Sequence, residues 1–186
     1  MYFETIKCED FEILNLDFHN KRVARTIGKN LNLQEYIYPP TNELLRCKLI
    51  YDENEIFSVD YFPYKKREFK TFKIIFDDNI AYSKKYLNRE KLDNLFEKRE
   101  LCDDIIIVKN KVITDTSIAN IAILQDGIWF TSKNCLLDGT TRAKLIEDKK
   151  IFEKDISLEM LQKAQKFAIF NSMIGFLELD DYSFKL

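Results

Sequence analysis

The sequence predicts an α+β chain in two lobes, a small N-terminal one over residues 1–80 and a larger one over 81–186. Two observations lead there. The first part alternates short strands with a single helix, the pattern of a small antiparallel lobe. The second part changes character: hairpin follows hairpin, one strand is apolar on both faces, and two helix starts come after them. With 46% apolar and 13% aromatic residues and only four Gly and three Pro, the chain can bury a real core and carries no flexible linker.

Tyr2–Lys7 reads as a strand, with a second short one near Glu12–Leu14. Asp17 is placed to cap a helix over Phe18–Leu31, with Phe18, Ala24, Ile27 and Leu31 near one face. Leu45–Tyr51 and Glu55–Tyr61 alternate apolar and polar around Asp52-Glu53-Asn54, which predicts a hairpin. Phe69–Phe76 is another strand, with Phe72, Ile74 and Phe76 on one side, and Asp77–Ser83 is the expected lobe junction. Asn88–Arg99 has helical spacing in Leu92, Leu95 and Phe96. Asp104–Lys109 and Val112–Thr114 form a hairpin about Asn110-Lys111, and Ile118–Leu124 and Ile128–Thr131 another about Gln125-Asp126-Gly127. The run Ile121–Leu124 suits a central strand. Helices are expected near Thr140 and at Ser157, and a last strand over Phe167–Phe170.

Charge and motif content narrow the function classes. The formal charge is −2, so no global field recruits nucleic acid or an anionic membrane surface. Basic and aromatic residues interleave over Tyr61–Phe76, but on a chain of negative net charge this reads as a strand with one solvated basic face. The acidic start (Glu4, Glu9, Asp10) is unlike a signal peptide, and no apolar run reaches membrane-spanning length. A cytoplasmic location is the expectation. Four scattered cysteines and a single histidine offer no clustered metal ligands.

Four features can carry chemistry, each with an ordinary alternative. Lys84-Lys85 stands between a strand and a helix, where a lysine is usually just solvated. Asp115, before Thr116-Ser117, suits a turn as well as a site. Gly139-Thr140-Thr141 opens a helix whose free N–H groups can hold an anion or merely be capped. Asn171-Ser172 follows a buried strand and suits a turn or a second anion contact.

Six segments, taken in order, resemble the class IV aminotransferase family, and within it the 4-amino-4-deoxychorismate lyase branch. They are Phe3-Glu4-Thr5-Ile6, His19-Asn20-Lys21-Arg22, Lys85-Tyr86-Leu87-Asn88-Arg89, Thr114–Ile121, Leu136–Arg142 and Phe170–Gly175. The resemblance spans nearly the whole chain and implies the two-lobe D-amino-acid aminotransferase-like fold (fold type IV) with pyridoxal 5'-phosphate as cofactor. It makes Lys85 the Schiff-base lysine and catalytic base, with Lys84 the alternative one residue away, and places Arg89 in the same cofactor segment. Arg22 is implied to grip the phosphate together with the Gly139, Thr140 and Thr141 loop and Asn171 and Ser172. Asp115 is implied to pair with the ring nitrogen, and Asn120 to order the turn beneath it. Asp115 replaces the family's usual glutamate, Asp138 stands where proline is common, and the chain is shorter than typical members.

The resemblance implies a small amino compound as substrate and a homodimer, with no nucleic-acid or membrane partner. The activity it favours is a lyase releasing pyruvate and 4-aminobenzoate, a folate precursor. The alternatives are a transaminase of branched-chain or D-amino acids and a shortened paralogue without turnover.

Overall fold

A computed structural model describes all 186 residues as two compact units. The first comprises Met1–Lys66 with Lys84–Asn88, the second Arg67–Ser83 with Arg89–Leu186.

The first unit is a four-stranded antiparallel sheet in the order β2-β1-β3-β4. Its strands are β1 (Tyr2–Glu9), β2 (Glu12–Ile13), β3 (Leu45–Tyr51) and β4 (Ile56–Pro63). Period-2 alternation sends Ile6, Cys8, Leu45, Cys47, Leu49 and Tyr51 into one core with Val23 of helix α1 (Leu16–Ile27). Asp52 Oδ1 closes the β3–β4 turn, accepting the N–H groups of Asn54 at 2.7 Å and Glu55 at 3.1 Å.

Helix α1 departs from expectation at both ends. It starts after Asn15, which sits in the left-handed region without a side-chain cap, so Asp17 lies in the first turn instead of capping it. It stops at Gly28, whose φ of 74° only glycine adopts freely, so Leu31 lies outside. The buried stripe is His19, Arg22, Val23 and Thr26, while Phe18, Ala24 and Ile27 are only half-buried. A polar stripe can face inward here because β1 places Glu4 in the same core-facing phase as Ile6.

The second unit is a sheet of nine strands, ordered β10-β9-β8-β7-β6-β5-β13, with β11 against β8 and β12 outside β11. The strands are β5 (Thr71–Phe76), β6 (Asp104–Lys109), β7 (Val112–Thr116), β8 (Asn120–Gln125), β9 (Ile128–Ser132), β10 (Phe152–Lys154), β11 (Lys166–Asn171), β12 (Gly175–Leu179) and β13 (Ser183–Lys185). Both tight hairpins form where expected. Asn110-Lys111 and Asp126-Gly127 all have positive φ, the type I′ geometry that matches strand twist. The β8 segment Ile121–Ile123 is fully buried and central, flanked by β9 and β11.

Helix α2 (Glu90–Glu97) is shorter than expected and buries Leu92 and Leu95. Helix α3 (Thr140–Glu147) starts at Gly139, and α4 (Leu158–Gln162) at Ser157, whose Oγ accepts the Met160 N–H at 3.1 Å. No helix is long and apolar enough to cross a membrane.

The expected boundary between 1–80 and 81–186 differs from the observed division. Strand β5 pairs in parallel with β6 and β13, so Arg67–Ser83 belongs to the second unit. Lys84–Asn88 returns to the first, where the Phe3 N–H donates to the Lys85 carbonyl at 3.0 Å and Tyr86 bridges Tyr2. Along β5, Phe72 and Ile74 are buried but Phe76 is 63% exposed, because the strand's last residue runs past the core. Strands β10, β12 and β13 are too short or too mixed in pattern to stand out in sequence.

Candidate functional site

In the first unit the chemistry gathers around Glu4. Its side chain is fully buried on β1, and burial alone pushes a carboxyl up. The Arg22 charge and hydrogen bonds from His19 and Arg22 outweigh that and hold it at about 2. Arg22 Nε donates to Oε1 at 2.9 Å, and Arg22 Nη2 donates to Oε2. His19 Nδ1 lies 2.6 Å from Oε2. Burial holds the His19 imidazole below its ordinary value, against the pull of Glu4. A neutral ring beside an ionised carboxylate must donate from Nδ1, which fixes the tautomer. The bidentate pair uses two of the five guanidinium donors of Arg22 and offsets its charge against the ionised Glu4 carboxylate.

In the sequence Glu4 stands out only as part of the opening strand and of the acidic start. The signal that marks it is phase: it alternates with Ile6 and Cys8, and a carboxylate in that position has to be paired.

The two adjacent lysines part ways. Lys84 Nζ donates to the Thr26 carbonyl at 2.8 Å, at the end of α1. Lys85 Nζ lies 4.5 Å from the centre of the Phe3 ring, and its charge is one of those that disfavour protonation of His19.

In the second unit the centre is Asp115, 4% exposed on β7. Oδ1 accepts from Asn120 Nδ2 at 2.8 Å; Oδ2 accepts the backbone N–H groups of Leu136 at 2.8 Å and Leu137 at 2.9 Å. Burial raises its carboxyl to about 6, and these neutral donors only partly offset that. Asn120 also donates to the Leu137 carbonyl at 2.8 Å, tying the β7–β8 turn to the loop before α3. The Asn120 carboxamide packs so closely on Gly139 that any Cβ there would run into Oδ1. Gly139 is therefore required by Asn120 itself.

Gly139 begins α3 without a side-chain cap, so the first-turn N–H groups around Thr140 and Thr141 have no acceptor within the helix. Arg142, in that turn, is buried and clamps the surroundings: it donates to the Ser132 carbonyl at 3.0 Å, pairs with Glu153 at 2.5 Å and with Asp138 at 3.3 Å. The negative charge that Asp138 brings to this loop is thus partly offset.

Arg89 Nη2 donates to the Ser117 carbonyl at 3.0 Å, and its Nε lies 3.4 Å from Asp93, so it braces the β7–β8 turn. Asn171 Oδ1 accepts the N–H groups of Met173 at 2.8 Å and Ile174 at 3.0 Å, and its Nδ2 reaches the Ile118 carbonyl. Of the two readings for Asn171-Ser172, a turn is what the Asn171 side chain makes.

The residues present suit pyridoxal phosphate. A carboxylate offers about four lone-pair positions. Asp115 has three filled by neutral donors, leaves one on Oδ1, and lacks a closely paired cation. A protonated ring nitrogen is the complement of such a position. Within the second unit, the first turn of an eight-residue helix that starts without a side-chain cap suits a phosphate.

Comparison with known proteins gives three findings. Residues 82–180 match the family described as amino-transferase class IV. An uncharacterized protein of Haemophilus influenzae is 36% identical over 184 residues, covering 93% of this chain and 97% of its own. A Haemophilus somnus crystal structure described as a candidate 4-amino-4-deoxychorismate lyase is 32% identical with a TM-score of 0.87, covering 94% of this chain and 96% of that one. The PLP-bound form of a hypothetical aminotransferase from Mycobacterium tuberculosis shares the fold, with a TM-score of 0.78 at 15% identity over 98% of this chain and 81% of that one.

Proposed function

Since the chain belongs to the class IV aminotransferase family and has its fold type IV, two-sheet α+β architecture, we propose that it is a pyridoxal-phosphate-dependent 4-amino-4-deoxychorismate lyase. The observation that carries the cofactor reading is Asp115, a buried acid with one open lone pair and no cation in direct contact, its charge only partly offset by Arg142 and neutral donors. The lyase, over a transaminase, is favoured by the match of nearly equal length to the Haemophilus somnus structure.

When bound, pyridoxal phosphate supplies an electron sink for the electrons released at the substrate's amine-bearing carbon. Lys85 would hold the cofactor covalently and, once displaced by the substrate amine, take the proton from that carbon through Nζ. Lys84 suits this role less, because its ammonium is engaged by the Thr26 carbonyl. Asp115 would keep the proton on the ring nitrogen. Asn120 and the Leu136 and Leu137 amides hold Asp115 in place for that task. Arg22 and the first turn of α3 would hold the phosphate, with Ser172 as a further contact. Proton loss at the amine-bearing carbon, with cleavage of the neighbouring enolpyruvyl ether, gives pyruvate and 4-aminobenzoate. We further propose that the protein works as a homodimer in the cytoplasm; light scattering that finds a monomer with cofactor bound removes the dimer.

Borohydride treatment of the protein with pyridoxal phosphate, followed by peptide mapping, tests the lysine. Label is expected on Lys85 in the wild type and in Lys84→Ala, and none in Lys85→Ala. Label that persists in Lys85→Ala and disappears in Lys84→Ala overturns the assignment. Pyruvate release from 4-amino-4-deoxychorismate supports the lyase. Amino-group exchange with a keto acid, without pyruvate release, makes the protein a transaminase of branched-chain or D-amino acids; failure of both assays makes it a non-catalytic paralogue.

A further inference from the structure

We propose that Asp104 is a positioning residue: from the start of β6 its buried carboxyl holds the β7–β8 turn, and through that turn it holds Asp115. The inference deepens the reading of Asp115 as the partner of the ring nitrogen and rests on it.

Asp115 and Asn120 face each other in register at the two ends of a short bracket, residues 116–119. The bracket closes on itself. The Thr116 N–H donates to the Ala119 carbonyl at 2.8 Å, and Thr116 Oγ1 accepts the N–H groups of Ile118 at 3.2 Å and Ala119 at 3.0 Å. Three side chains from elsewhere in the second unit fasten it. Arg89 donates to the Ser117 carbonyl at 3.0 Å, Asn171 donates to the Ile118 carbonyl at 3.2 Å, and Asp104 Oδ1 accepts the Ser117 N–H at 3.3 Å. Arg89 and Asn171 are partly exposed, whereas Asp104 is 1% exposed and holds the bracket from inside. Asn120 can bond both Asp115 and the Leu137 carbonyl only while the bracket keeps β7 and β8 in register.

Two adjacent aspartates meet opposite surroundings here. Asp103 Oδ2 accepts the Lys70 and Thr71 N–H groups at 2.9 and 2.8 Å and the Thr71 hydroxyl at 2.9 Å. These donors, the Lys70 N–H above all, hold its carboxyl below the ordinary value. Asp104 Oδ1 accepts the Ile105 N–H at 2.8 Å besides that of Ser117, while its Oδ2 is buried with no hydrogen-bond partner. An ionised carboxylate with an open oxygen is costly in that position, and burial pushes the Asp104 carboxyl up, against the Ser117 and Thr116 hydroxyls.

The uncharged acid is what the place suits. It has one O–H to give and an acceptor oxygen besides, which matches a turn of N–H groups and hydroxyls. It also brings no second negative charge to the bracket, so a cation met there faces the Asp115 carboxylate alone.

The probe is pyridoxal phosphate isotopically labelled at its ring nitrogen, whose NMR signal reports whether that nitrogen carries a proton. The protonated position is expected in the wild type. Asp104→Ala should move the signal toward the unprotonated position and raise the cofactor Kd about tenfold, the scale of leaving a buried hydrogen-bonding group without its partner. Asp104→Asn keeps the Oδ1 acceptor on an uncharged group and should restore both. Asp104→Ser is too short to reach Ser117; it should behave as the alanine does, and it replaces that variant if alanine prevents folding. Asp103→Asn should lower the melting temperature without moving the ring signal. A wild-type signal and Kd in Asp104→Ala or Asp104→Ser overturns the proposal. So does an Asp104→Asn variant as damaged as the alanine, or a ring signal that moves as far in Asp103→Asn.

Cofactor-free protein separates this inference from the one beneath it. The Asp115 carboxyl carbon, followed by NMR, should titrate at about 6 in the wild type, shift in Asp104→Ala and recover in Asp104→Asn. That result with an unprotonated ring nitrogen in the wild type rejects Asp115 as the ring's partner and leaves Asp104 as the residue that positions it. A protonated ring nitrogen with an Asp115 titration indifferent to Asp104 rejects the positioning and leaves the cofactor reading standing.

Discussion

Glu4 in the first unit and Asp115 in the second are both buried, each with three N–H donors on its two oxygens, yet they titrate in opposite directions. Glu4 is held at about 2, Asp115 raised to about 6. Hydrogen-bond count does not separate them. Two of the donors to Glu4 belong to a full charge, the Arg22 guanidinium; the donors to Asp115 are one carboxamide and two backbone amides. At close range in a low dielectric, a whole charge outweighs several dipoles. Glu4 is therefore satisfied within its own unit, and Asp115 is left short of a cation, which is what a binding position needs and a structural one does not.

The sharpest way to break this contrast is Glu4→Gln. It strands Arg22 in the core and is expected to cost about 3–5 kcal/mol of stability, read from urea unfolding. A loss under about 1 kcal/mol would mean that Arg22 is not held mainly by Glu4.

Asp115→Asn should behave differently. The amide keeps the shape and most of the hydrogen bonds, so cofactor retention should survive. Turnover should fall by about 10²–10³, roughly 3–4 kcal/mol in the barrier, the scale of removing a preorganised electrostatic partner. Near-normal turnover on every accepted substrate would make the acid structural.

The pH dependence separates the two groups without touching catalysis. For Glu4 the folded value lies below the ordinary 4.5, so its stabilisation is present above about pH 4.5 and is lost as pH falls toward about 2. For Asp115 the folded value of about 6 lies above the ordinary 3.8, so ionisation opposes folding. Cofactor-free wild type should gain stability relative to Asp115→Asn as pH falls from about 6 to about 4, by roughly 2–3 kcal/mol. Comparison with the variant cancels the opposing contribution of His19, whose depressed value costs stability as pH falls below its ordinary 6.5. Urea midpoints across pH 3–8, each measured against the matching variant, check both slopes; a flat difference for Asp115 removes its raised value.

The smallest expected effect is at Gly139. An alanine there forces the Asn120 carboxamide aside, and a local repacking cost of about 1–3 kcal/mol should follow. Because Asn120 also steadies Asp115, turnover should fall with stability. Unchanged melting and unchanged turnover would show that Asn120 has another place to go.

Local chemistry in the sequence determined much of this protein. The Asn110-Lys111 and Asp126-Gly127 turns, the Ser157 cap, the doubly buried run in β8 and the order of the family segments all rest on neighbours within a few residues, and those are readable one window at a time. Only the tertiary structure decided the rest. The polar stripe of α1 is buried because Glu4, fifteen residues before His19, waits beneath it. Strand β5 joined the second unit through β6 and a C-terminal strand more than a hundred residues away. Lys84 and Lys85 were separated by the Thr26 carbonyl and the Phe3 ring, neither near them in sequence. Pattern reports which face a residue occupies; which charge it meets there is set by chain closure, and that pairing decides whether a buried acid is a strut or a site.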